Sequence, residues 1–215
     1  QENKKIGEAL KKYSKISVRE DKGVEICNKI FGLDATQVLD PTLLLQKEDY
    51  SEITGNIKDK EAIICFKFIQ NEEFIKCAHL IKNELHLKLV LLNTFRHKPG
   101  FDRYIFEPFL GPVKWLKKLA SAKFIITDSF HGLAFAIIFN KNFIVIPGAA
   151  DRTTRLISLL NKLDLSERYV NSYQDLLNRR QVIHEKINYD QVNQILQQER
   201  EKSISFLKST IFNLG

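Results

Sequence analysis

The stretch Phe124-Ile125-Ile126-Thr127-Asp128-Ser129-Phe130-His131-Gly132 constrains the fold more tightly than any other part of the chain. Phe124 to Thr127 is a short apolar run that stops at a polar turn, as a buried strand does. Leu133, Phe135, Ala136, Ile137, Ile138 and Phe139 follow at once and are too apolar for a surface loop, so a helix is expected there. Asn140-Lys141-Asn142 breaks that pattern, and Phe143-Ile144-Val145-Ile146 supplies a second strand before Pro147-Gly148. The product is a βαβ unit with a polar cluster at the carboxyl end of its first strand. Open α/β sheets bind ligands at that edge, where helix N-termini offer unpaired N–H groups. Asp128, Ser129 and His131 are therefore candidate site residues. Asp128 or Ser129 would also serve as a plain helix cap, but a cap does not account for His131 and Gly132 beside it.

The rest of the chain repeats the alternation. Lys15 to Arg19 and Thr36 to Leu39 read as strands, the second stopped by Asp40-Pro41 because proline cannot continue it. Ala62 to Phe68 lacks polar alternation, the mark of a parallel strand covered on both faces. Leu87 to Leu92 is the next strand. Helices are expected between them, one ended by Gly32, one capped by Asn71 and one opened by Pro112. Lys47 to Gly55 reads as a linker and Asn93 to Phe109 as a charged loop. Further helices are expected from about Arg152 to Leu163, from Tyr173 to Arg180 and from Tyr189 to Phe212. Strands alternating with helices predict an α/β domain built on a doubly wound, mostly parallel sheet. The expected division is a helical tail over 1–14, a Rossmann-like domain over 15–165 and C-terminal helices over 166–215.

A hydrophobic fraction of 44% and 15 phenylalanines supply an ample core. No apolar run is long enough to span a bilayer. Cys27, Cys65 and Cys77 lack metal-ligand spacing and read as reduced core residues of a cytoplasmic protein. A net charge of +7 suits an acidic substrate or an anionic membrane surface. Its basic runs are not interleaved with aromatics as a single-strand binder requires, so nucleic acid is not expected as a partner. The chain contains no methionine and opens within a charged amphipathic stretch. That fits a fragment lacking its N-terminal part, or a sequence from which methionines have been dropped.

These residues resemble the polysaccharide pyruvyl transferase family. The resemblance rests on Ile16-Ser17-Val18-Arg19-Glu20 with Gly23 and Cys27, on Val38-Leu39-Asp40-Pro41-Thr42-Leu43-Leu44-Leu45 with Asp49-Tyr50, and on Trp115-Leu116 before the Ala122 to Gly132 segment. Phe139-Asn140-Lys141 with Phe143-Ile144, and Arg155 before Ser158-Leu159-Leu160, extend it from about Lys15 to the chain end. It implies a GT-B-type enzyme of two Rossmann-like halves, with this chain as the C-terminal half and activity only when the N-terminal half is present.

The resemblance also implies a reaction: transfer of a pyruvyl unit from phosphoenolpyruvate to a sugar diol as a ketal, with loss of phosphate. Such an enzyme works on surface or capsular polysaccharide in the bacterial cytoplasm or at the inner face of the membrane. Its acceptor is a glycan or a lipid-linked glycan, and peripheral membrane association follows. No cofactor or metal is required. His131 is then the expected proton donor or acceptor, or a hydrogen-bond donor to phosphate, with Asp128 orienting it or holding a sugar hydroxyl. Arg19 and Arg155 are candidate clamps for the donor's carboxylate or phosphate, and Arg152 is a weaker one. Ser129 would donate to phosphate, and Gly132 would let the backbone approach an anion. Arg96, His97 and Lys98 lie in a strand-end loop within reach of such a cleft. In ketal-forming members the turn reads Arg-Leu-His-Gly, and Ser129 stands where that arginine would be. The departure leaves room for a GT-B glycosyltransferase using a nucleotide sugar, with Glu107 on a ribose or sugar hydroxyl, or for an inactive glycan-binding module.

Overall fold

The computed structural model describes residues 2–55, 57–67, 71–92, 105–107, 110–148 and 153–212. Two compact units divide the chain, one made of residues 1–44 with 190–215 and the other of residues 45–189.

The first unit begins with α1 (Glu2–Leu10), β1 (Ser17–Val18), α2 (Asp21–Phe31), β2 (Thr36–Gln37) and α3 (Pro41–Leu44). Gly32 closes α2 in the left-handed region at φ 63°, its N–H returning to the Asn28 carbonyl, a conformation that favours glycine. β1 and β2 pair in parallel as a two-stranded sheet of their own. The Lys15 to Arg19 strand, expected within the doubly wound sheet, is thus not part of the larger sheet. The cause is legible in composition. Lys15 to Arg19 alternates and has one apolar face, whereas a central parallel strand needs two. The last helix adds Ser203, whose hydroxyl accepts the Leu39 N–H at 2.9 Å, and Arg200, which donates to the Leu43 carbonyl at 2.7 Å.

The second unit carries the expected parallel sheet. Its elements are α4 (Lys47–Thr54), β3 (Ala62–Phe66), α5 (Glu72–Leu85), β4 (Lys88–Leu92), β5 (Ile105–Glu107), α6 (Pro112–Ala120), β6 (Phe124–Thr127), α7 (Phe130–Ile138), β7 (Asn142–Val145), α8 (Thr154–Lys162) and α9 (Tyr173–Asn178). Helix α10 (Tyr189–Phe212) follows. All five strands are parallel in the order β5-β4-β3-β6-β7. The chain winds outwards from β3 through β4 to β5, then returns to place β6 and β7 on the other side. This is the doubly wound pattern, and its direction reverses between β3 and β6, where such sheets open a crevice.

Two further expectations need adjustment. The presumed linker is α4, closed at its start by a capping box in which the Gln46 N–H donates to the Asp49 carboxylate at 2.7 Å. Only Tyr50 and Thr54 turn inward, too sparse an apolar stripe to announce a helix. The presumed loop from Asn93 contains β5, which pairs residue by residue with β4. Of the C-terminal helices expected over 166–215, residues 166–189 pack on the sheet unit, where the Val170 N–H bonds the Val145 carbonyl at 2.9 Å and Leu176, Val182 and Ile183 enter the core.

Helix α7 is buried on nearly every side, as a helix apolar all round must be. Phe135 stacks on Phe139 and meets the edges of Tyr50 and Trp115. The Tyr189 hydroxyl donates to the Ala136 and Lys141 carbonyls at the helix's C-terminal end. The first turn of α7 is therefore held by packing behind it. Cys27, Cys65 and Cys77 are buried free thiols, and burial pushes the Cys77 thiol up to about 12.

Candidate active site at the sheet's switch point

At the switch point, Phe66 of β3 lies opposite Thr127 of β6, and the next residue on each strand is charged. The Lys67 side chain is wholly buried. Its ammonium lies 2.7 Å from the Ile146 carbonyl oxygen, 3.3 Å from that of Pro147 and 3.3 Å from Asp128 Oδ2. It also stands 5.2 Å from the centre of the Phe74 ring. Three N–H groups thus meet three acceptors. Burial holds Lys67 below its ordinary value, and the neighbouring Asp128 carboxylate opposes that fall. Sequence reasoning missed Lys67 by reading it as part of the strand. The available signal was a lysine inside an apolar run, because lysines are seldom fully buried unless paired.

The turn after β6 is fixed by short-range bonds. The Thr127 hydroxyl donates to the Phe66 carbonyl at 2.6 Å and accepts the Ser129 N–H at 3.0 Å. Ser129 is the N-cap of α7, its side chain accepting from the Gly132 N–H at 3.4 Å. The absent side chain of Gly132 makes room for Thr127: a Cβ there would lie 2.3 Å from the threonine hydroxyl oxygen and 3.1 Å from its Cβ. The expected approach to an anion therefore yields to a close helix–strand contact. Gly132→Ala should destabilise the protein by about 1–3 kcal/mol, the range for overpacking a tight core, as measured by urea denaturation.

His131 follows on the first turn of α7 and is exposed. Its ring meets that of Phe130 edge-on, with centroids 5.7 Å apart. From α8, the Arg155 guanidinium reaches the same Phe130 ring, 5.8 Å from its centre. Phe130 itself is buried. The candidate proton carrier and the candidate cation thus contact the same phenyl ring. Asp128 makes an ion pair with Lys67.

Two other expected residues make ion pairs of their own. Arg19, in the first unit, pairs with Asp40. Asp40 also accepts the Thr42 N–H at 2.9 Å. Burial alone would raise the Asp40 carboxyl, but the Arg19 bond and the Thr42 N–H together hold it below the ordinary 3.8. A depressed folded value stabilises the protein above the unfolded value and loses that effect as pH falls through the folded one. Asp40→Asn should therefore flatten the loss of stability from 3.8 downward, read from urea midpoints across that range.

Glu107 ends β5 and pairs with Lys118. It shares a register row with Thr127 but lies three strands away, about 14 Å at normal strand spacing. Arg96, His97, Lys98 and Arg152 lie outside the described residues. Among the described residues no group of His, Cys, Asp and Glu side chains could hold a metal ion. Nor is any helix among them long and apolar enough to cross a membrane.

The sequence profile of the polysaccharide pyruvyl transferase family matches residues 1–148. The chain belongs to the polysaccharide pyruvyl transferase family. The match covers Arg19, Lys67 and the Asp128 to Gly132 turn. It starts before Lys15 and stops short of the chain end, so Arg155 lies beyond it. No curated protein matches the chain.

Among solved structures the chain is similar to a Thermobaculum terrenum O-GlcNAc transferase mutant, with a TM-score of 0.54 and 12% identity over 87% of this chain and 41% of that one. It is also similar to AviGT4, a glycosyltransferase involved in avilamycin A biosynthesis, with a TM-score of 0.55 and 12% identity over 90% of this chain and 62% of that one. The likeness is one of fold, and that fold is the GT-B glycosyltransferase type. The chain spans less than two thirds of either neighbour's length.

Proposed function

We propose that the chain forms part of an enzyme that transfers the pyruvyl unit of phosphoenolpyruvate to a sugar diol. The observation that supports this most is the joint contact of His131 and Arg155 with Phe130 at the carboxyl edge of β6. In the reaction, C3 of the enol gains a proton and a sugar hydroxyl oxygen bonds to C2. The second hydroxyl oxygen then displaces phosphate from C2. Two hydroxyl protons are released, balancing the one taken up at C3 and the one leaving with phosphate. An exposed imidazole suits the C3 protonation, since it can exchange its proton with water between turnovers. Arg155 would bind the donor carboxylate or phosphate as a fork of N–H donors. With Asp128 paired to Lys67, its proposed role is to anchor the turn.

A nucleotide-sugar donor is the second reading, favoured by Ser129 in the turn and by the glycosyltransferase fold. The full-length protein should release inorganic phosphate from phosphoenolpyruvate only when a sugar diol is present. Release of a nucleoside diphosphate from a nucleotide sugar instead would select the second reading.

A further inference from the structure

Lys67 takes no part in the reaction as written, yet it occupies the switch point beside the turn that carries His131. Asp128 stands three residues before His131, within about 10 Å along the chain. The Ile146 and Pro147 carbonyl oxygens converge on the same spot, because one ammonium reaches both and Asp128 as well. Without a cation there, this corner would turn a full negative charge and two carbonyl dipoles towards an incoming polyanion. A lysine suits the place, since a compact point charge with three rotatable donors meets three converging acceptors where a planar guanidinium would not.

We propose that Lys67 is a positioning residue for the acidic donor. Its ammonium neutralises the Asp128 carboxylate, so that a polyanion is accepted beside His131. Lys67 does this without touching the donor, since its side chain is wholly buried. The inference rests on the reading above in requiring an acidic donor at this site, whichever donor that is.

The test is calorimetric titration of the full-length protein and its variants with phosphoenolpyruvate and, separately, with a uridine diphosphate sugar. Circular dichroism would confirm that each variant is folded. Lys67→Met should weaken binding of the accepted donor by about tenfold or more, as expected for an uncancelled charge at such a separation. It should also make that binding more sensitive to salt. The double variant Lys67→Met with Asp128→Asn removes both charges and should bind within about threefold of the parent. That rescue also guards against a single variant that fails to fold. Parent-like affinity in folded Lys67→Met would overturn the proposal and leave Lys67 as a brace between strands. A double variant as weak as the single one would overturn it too, since Lys67 would then be needed for more than its charge. If the parent binds neither donor, the acidic-donor reading and this inference fall together. If the parent binds and Lys67→Met binds equally, only this inference falls.

Discussion

Lys67→Met should lower the stability of the protein by about 3–5 kcal/mol, the usual cost of removing one partner of a buried ion pair. The Lys67 and Asp128 side chains are 0% and 5% exposed, so water cannot take the place of the missing ammonium. The change also strips a donor from the Ile146 and Pro147 carbonyls, and buried acceptors without partners carry their own desolvation cost. These losses fall where β3, β6 and β7 end, so three strands are loosened at once. For a chain of this size the melting temperature should drop by roughly 10 °C. Urea denaturation at neutral pH is the direct measurement. A loss below about 1 kcal/mol, typical of an exposed pair, would mean that Lys67 is solvated.

His131→Ala should reduce kcat by roughly 10²–10⁴-fold, the usual contribution of a positioned general acid or base. Donor KM should change little, because the proposed anion contact belongs to Arg155. Stability should stay within about 0.5 kcal/mol of the parent, as expected for an exposed side chain. The combination is what separates a catalytic histidine from a structural one. A variant whose kcat stays within about threefold would remove His131 from the chemistry.

The sheet was legible because its strands are apolar on both faces: Ile63 to Cys65, Leu89 to Leu92, Phe124 to Ile126 and Phe143 to Val145 are all buried. Local stops were legible for the same kind of reason. Asn71 accepts the Phe74 N–H at 2.9 Å, Gly32 adopts the left-handed conformation, and Pro112 opens α6. Each depends on one residue's own geometry or hydrogen-bonding groups. What the sequence hid depends on partners far along the chain. Nothing in Ser17-Val18 says that its neighbour is Thr36-Gln37 and not a strand of the larger sheet. The short β5 has too few residues to show a period. Lys67 meets Asp128 across 61 positions, a pairing that strand patterning does not encode. At the site, Ser129 and Gly132 both stood out in sequence, but their contacts are capping and close packing. Arg155 stood out only as a cation at a helix start, and its approach to Phe130 required the fold.

The central claim is that an acidic donor binds beside His131 with Arg155 as its clamp. Calorimetric titration of phosphoenolpyruvate into the full-length protein and its Arg155→Ala variant tests it most directly. Saturable binding by the parent, weakened about tenfold or more in the variant as for loss of a charge-assisted bond, is the predicted result. No binding of phosphoenolpyruvate by the parent, or equal affinity in both proteins, would contradict it.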